Sequence, residues 1–341
     1  MPLRGVQPLR EMRLAGRAIG ARGRRMSVRV KRRIGSIGFP YRAPEVPRGV
    51  VVPEEPSKLE ANYETAWARE TPARTVRRLL TAGPLRLVVR VLADPEVQGT
   101  DRLADYRPHG DADPPALIFT PNHHSHLDTG LCLMAIPEPW RSKVVVGAAA
   151  DYFFTTRLSA AASALALNAI PIDREAVGRK SSELARELLE DGWSLLLFPE
   201  GGRSPDGWGQ PFKGGAAYLS ARTGAPIVPM FIDGAGSIFG KGMKRPKPGR
   251  TTVVFGHPIH PVESENTRRF NERVERAVTE LGDEALTDWW SARQRAAQRT
   301  NPSLTGPEYT GWRRQWALSE HRKLGKAGQR RRQKRTWPPL P

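Results

Sequence analysis

A single cysteine in 341 residues, Cys132, rules out an intrachain disulfide framework. It sits in the apolar run Leu131-Cys132-Leu133-Met134-Ala135-Ile136, which predicts a buried, inert thiol. No stretch reaches the ~18 uninterrupted apolar residues that a membrane-spanning helix requires. The N-terminus lacks the apolar centre of a secretory signal, so the expected setting is cytoplasmic. Glycine-rich phosphate loops of the Walker or dinucleotide type are missing, as are internal repeats. Acidic residues are scarce: 35 Asp and Glu stand against 54 Lys and Arg, for a formal charge of +19. Such a surface attracts polyanions, which leaves nucleic acid, anionic lipid and phosphorylated small molecules as partner classes.

The charge is uneven. Residues 1–50 hold thirteen Lys or Arg against Glu11 and Glu45, and Pro40, Pro44, Pro47, Pro53 and Pro56 interrupt any regular element. Residues 1–60 therefore read as a basic arm, although the composition also fits an organelle transit peptide or an over-long start with Met26 as initiator. Over 61–114 a helical lead-in is expected. There Val76, Leu79, Leu80, Leu87, Val88, Val91 and Leu92 recur at helical spacing among arginines, and Gly83-Pro84 is expected to split the segment into two short helices. A basic amphipathic pair suits an anionic bilayer surface; packing against the protein's own body is the alternative.

From Pro115 to about 285 the pattern alternates. Strands are expected at Ala116–Thr120, Lys143–Ala148, Ala169–Ile172, Ser194–Phe198, Pro226–Ile232 and Thr251–Phe255. Helices are expected at Thr156–Leu167, Gly178–Glu190, Gly215–Thr223 and Thr267–Leu281. This predicts an α/β fold, a layered mixed sheet with flanking helices, followed over 286–341 by a basic C-terminal extension.

Two polar clusters directly follow buried strands. The first is Asn122-His123-His124-Ser125-His126-Leu127-Asp128. His123-x4-Asp128 can set a carboxylate against one ring nitrogen, fixing the tautomer while the other nitrogen takes a hydroxyl proton. The same histidines with Asp128 are also zinc-ligand types, though crowded ones, and a plain solvated loop is the third reading. The second cluster is Phe198-Pro199-Glu200-Gly201-Gly202-Arg203-Ser204. Its glycines let backbone approach a ligand, Arg203 offers a planar fork for phosphate oxygens, and Glu200 can accept from substrate hydroxyls. A glycine turn with a surface arginine is the bland alternative.

Together with Pro171-Ile172-Asp173-Arg174, the Phe212-Lys213-Gly214 step and the Pro-bearing strand Ala225–Met230, these segments resemble the glycerolipid acyltransferase family, of which lysophosphatidic acid acyltransferase is a common member. Gly202 stands where the family pattern has Thr. The resemblance covers about residues 115–258. It implies a catalytic dyad of His123 and Asp128, and an acceptor site shaped by Asn122, Arg174, Glu200, Gly201, Arg203, Ser204 and Lys213. It implies phospholipid synthesis with acyl-CoA or acyl carrier protein as co-substrate, no other cofactor and no metal. The partners it implies are a thioester donor, a phosphate-bearing lipid acceptor and the anionic inner face of a membrane. The rival from another class is a nucleic-acid-binding protein using basic arms, but the two sheet-end loops are not needed for that, and no nucleic acid is expected.

Overall fold

A computed structural model describes residues 63–108, 112–172 and 179–306. The arm at 1–60, Asp173 and Arg174, and the chain from 307 onward lie outside the described residues.

The first long element is helical throughout: α1 (Thr71–Leu80), a π turn (Thr81–Leu85) and α2 (Arg86–Ala93) follow one another. Leu80, Thr81, Leu85 and Arg86 all keep right-handed helical angles, so the expected break at Gly83-Pro84 does not occur. A proline in a helix loses one N–H and crowds the carbonyl a turn earlier; the wider π turn absorbs both. Asp94, in the left-handed region at φ 34°, ends the helix. It leads into β1 (Pro95–Gln98).

The remaining strands are β2 (Ile118–Pro121), β3 (Val144–Ala149), β4 (Ala169–Ile172), β5 (Ser194–Leu196), β6 (Ile227–Asp233) and β7 (Thr251–Phe255). They form one sheet in the order β1-β7-β6-β2-β5-β3-β4. All neighbours are parallel except β6 with β7, which makes the sheet mixed as expected. Apart from the exposed edge strand β1, its strands are near-continuous apolar runs because both faces are covered. Leu117, Phe119, Val144 and Val146 face one layer, which includes α2 and α3 (Asp128–Ala135). Ile118, Val145 and Leu195 face the other, with α6 (Arg179–Glu190), α7 (Gly215–Thr223) and α9 (Thr267–Leu286). Between these come α4 (Ala150–Phe153), α5 (Arg157–Leu167) and α8 (Ala235–Phe239). Cys132 is buried in α3, and burial pushes its thiol up.

Past residue 286 the chain stays packed. Helix α10 (Trp289–Gln298) returns onto α9, where the Asp283 carboxylate accepts from Arg295 at 2.7 and 2.6 Å and from Asn301 at 2.7 Å. The arginine beside it holds the Asp283 carboxyl below its ordinary range.

Candidate active site

The sheet decides where chemistry can happen. After β2 the chain turns to the face carrying α3, whereas after the neighbouring β5 it turns to the face carrying α7. Loops that leave adjacent parallel strands for opposite faces open a crevice at the strands' carboxyl ends. Both polar clusters lie there.

His123 and Asp128 meet directly: Nδ1 lies 2.8 Å from Oδ2. Asp128 is fully buried at the start of α3, and the same oxygen accepts from the backbone N–H groups of His124 and Ser125, each at 2.7 Å. Three donors on one oxygen fix both the loop and the ring. Phe198 stacks on the imidazole with ring centres 4.1 Å apart. His123 Nε2 makes no hydrogen bond among the described residues.

The three imidazoles diverge. His124 lines a cavity of about 70 Å³ shared with Glu200 and Glu275; burial pushes its pKa down. His126 is exposed, packs on Phe239 and touches the Arg203 guanidinium. Among the described residues no group of three or more His, Cys, Asp or Glu converges as a metal-binding set.

Several residues expected at the acceptor also tie the fold together. Asn122 is buried; its Nδ2 donates to Ile232 O at 3.0 Å and its Oδ1 accepts from Ile232 N–H at 2.7 Å. An amide side chain thereby continues the β2–β6 ladder past the strand end. Ser204 donates its N–H to His123 O at 2.8 Å, and its hydroxyl accepts from Gly207 N–H. Glu200 is also buried: Oε1 accepts from His123 N–H at 2.8 Å and Oε2 from Gln210 N–H at 2.9 Å. Glu200 thereby clamps the two loops together.

Gly201, at φ +69°, has Lys213 laid across it, with Nζ 2.6 Å from where a Cβ would stand. The glycine is needed for both its backbone and its lack of a side chain. Arg203 lies beside His126, and its guanidinium carbon is 5.8 Å from the centre of the Tyr152 ring. The structure thus brings His123, Asp128, Glu200, Gly201, Arg203 and Lys213 to one crevice. Sequence reasoning missed Phe198 as a ring partner, Gln210 as the second clamp donor and Phe239 as the wall behind His126; only the first stood inside a quoted motif.

Burial pushes the Glu200 carboxyl up to about 8, against the pull of its two N–H donors. The folded state therefore keeps a proton that the unfolded chain releases near 4.5. The resulting stability is fully present below pH 4.5 and lost as pH rises through about 8. Denaturant unfolding across that window should show stability falling with pH, and Glu200→Gln should flatten the decline. An unchanged pH profile in that variant would contradict a buried, proton-holding carboxyl.

The site is thus an imidazole held on a buried carboxylate at the carboxyl end of a mostly parallel sheet in an α/β fold, beside a loop carrying arginine and lysine. Residues 95–233 match the family model described as Acyltransferase. The 1-acyl-sn-glycerol-3-phosphate acyltransferase of Limnanthes alba is 39% identical over 94 residues, 27% of this chain and 34% of that protein. The enzyme of the same name from Pseudomonas aeruginosa is 36% identical over 120 residues, 33% of this chain and 46% of that protein. The chain thus spans between about a third and a half of the length of these relatives. A crystal structure of the 1-acyl-sn-glycerophosphate acyltransferase of Thermotoga maritima is 21% identical, covering 66% of this chain and 84% of that one with a TM-score of 0.48.

Proposed function

We propose that this protein moves a fatty acyl group from a thioester to the free hydroxyl of 1-acylglycerol 3-phosphate, working at a membrane surface. The observation that carries the reading is the dyad: His123 Nδ1 sits 2.8 Å from a carboxylate oxygen that two backbone N–H groups also fix. With Nδ1–H donated to Asp128, Nε2 accepts the acceptor's hydroxyl proton as its oxygen attacks the thioester carbonyl carbon. Collapse of the tetrahedral adduct breaks the C–S bond, and the thiolate leaves with the proton returned from Nε2. No serine or cysteine nucleophile is required, because the substrate oxygen attacks directly.

Arg203 and Lys213 supply cations beside the dyad, and we assign them, with Arg174, to the acceptor phosphate. The names of the relatives support this acceptor. Peripheral attachment is supported by Leu79, Leu87 and Val91, which lie 69%, 65% and 63% exposed along the α1–α2 helix. Among the described residues no helix is long and apolar enough to cross a membrane.

Arg203→Lys tests the acceptor assignment. The variant keeps the charge but loses the planar fork, so KM for phosphate-bearing acceptors should rise about tenfold with kcat nearly kept. Acceptors lacking a phosphate should be unaffected. Equal effects on both classes would give Arg203 a structural role through His126 and Tyr152.

A further inference from the structure

The α1–α2 helix has a second surface besides its outward apolar edge. Arg74, Arg77, Arg78, Arg86 and Arg90, joined by Arg141, line a groove of about 430 Å³. From Arg74 to Arg90 the row is about 24 Å long at 1.5 Å per residue. Only two carboxylates share the groove: Asp94, 3.8 Å from Arg250, and Glu138, which accepts from Ser142 N–H.

None of the six arginines forms an ion pair within the described residues. Arg77 donates to the carbonyls of Ala68, Ala164 and Leu165, Arg141 donates to Ile136 O, and Arg74 lies over the Trp193 ring. Burial, with Arg74 and Arg69 close by, pushes Arg77 down to about 10. The groove is apart from the catalytic crevice. Gly130 of α3 packs against Val89 and Leu85 of the helix. The groove is reached at Met134, about 9 Å along α3 from Asp128.

We propose that this groove binds the phosphate headgroups of anionic phospholipids presented by a bilayer, separately from the acceptor site at His123. The inference rests on the peripheral reading above. Arg74, Arg77 and Arg78 lie opposite Val76, Leu79 and Leu80 around the helix, at 100° per residue. An interfacial helix sinks its apolar face ~5–10 Å into the headgroup boundary, and a helix is ~10–12 Å across. The arginine row therefore lies level with the headgroups. Guanidiniums spread along the helix, rather than converging on one point, suit several phosphates of a leaflet better than one soluble anion.

The test compares Arg78→Gln/Arg90→Gln with an equal charge change on the other face of the sheet, Arg222→Gln/Arg276→Gln. Each full-length variant is sedimented with phosphatidylcholine vesicles, with and without phosphatidic acid, and assayed for transfer between water-soluble short-chain substrates. The groove pair should bind anionic vesicles roughly 30-fold more weakly, the change expected for two lost headgroup charges. The control pair should change by less than about 3-fold. Transfer between soluble substrates should be unaffected in both, which also reports that the variants fold. Equal losses in both pairs would overturn the groove and leave diffuse attraction. Kept vesicle binding with lost affinity for an acidic carrier protein would reassign the groove to a protein partner and overturn the lipid assignment. No binding of the unaltered protein to anionic vesicles would bring down the peripheral reading itself, a result separable from either.

Discussion

Replacing His123 by alanine is expected to lower turnover roughly 10²–10⁴-fold, the range for a missing general base, with acceptor affinity nearly unchanged. The expectation is specific because the ring's remaining contacts are the Asp128 bond and the Phe198 stack. The loop itself is tied by backbone groups: His123 N–H to Glu200 and His123 O to Ser204 N–H. Losing the imidazole leaves both of those in place. Single-turnover rates and acceptor binding, measured on protein with an unaltered unfolding midpoint, separate the outcomes. Near-normal turnover would remove His123 from the chemistry, and a matching loss of acceptor affinity would make it a binding residue.

Asp128 should behave differently, because its carboxylate serves the fold as well as the reaction. Asp128→Ala removes the acceptor for two backbone N–H groups and the ring nitrogen in a fully buried place. An unpaired buried donor costs ~1–3 kcal/mol, so a stability loss of about 2–4 kcal/mol is expected along with a turnover loss as large as that of His123→Ala. Asp128→Asn can keep a carbonyl oxygen where Oδ2 stands. Its new NH₂ would then occupy the place of Oδ1, which is buried and has no hydrogen-bond partner. The asparagine variant should therefore lose about 1–2 kcal/mol of stability. Its turnover should still fall by roughly 10²-fold or more, since a neutral amide stabilises the imidazolium poorly. Urea unfolding paired with steady-state kinetics reads both quantities. Equal stability losses in the two variants would contradict the three-donor role of Oδ2.

Most of the sheet was legible because parallel strands covered on both faces are continuous apolar runs between turn residues. Ala169–Ile172, Gly215–Thr223 and Thr251–Phe255 fall at the expected bounds. The β1 strand was not legible: Pro-Glu-Val-Gln shows no apolar alternation, and it is held at the sheet edge by backbone pairing with β7. Helix α3 begins at the last residue of the His123 loop, Asp128, so no turn signal separates it from the motif. Polar composition concealed α10, because Trp289 and Trp290 are exposed and the packing runs through the Asp283–Arg295 pair.

Within the site, the spacing of His123 and Asp128 allowed them to be paired, since one turn of chain joins them, but zinc ligation and a solvated loop stayed open on spacing alone. The clamp of Glu200 on His123 N–H spans 77 residues, and that of Asn122 on Ile232 spans 110. Such bonds exist only once neighbouring strands have set their register. That is why the tying role of Asn122 and Glu200 could not be read from the sequence, and the acceptor role the sequence suggested for Arg203 and Lys213 is carried forward as a proposal.

The central claim is transfer to a substrate hydroxyl by an acid–base dyad, and the most direct measurement counts products. Purified protein given an acyl thioester and 1-acylglycerol 3-phosphate should release one thiol for each diacylglycerol 3-phosphate formed. Release should all but cease when the acceptor is withheld, and His123→Ala should suppress thiol and ester together. Thiol release that continues without an acceptor, with free fatty acid as the product, would contradict the account and make this a thioester hydrolase.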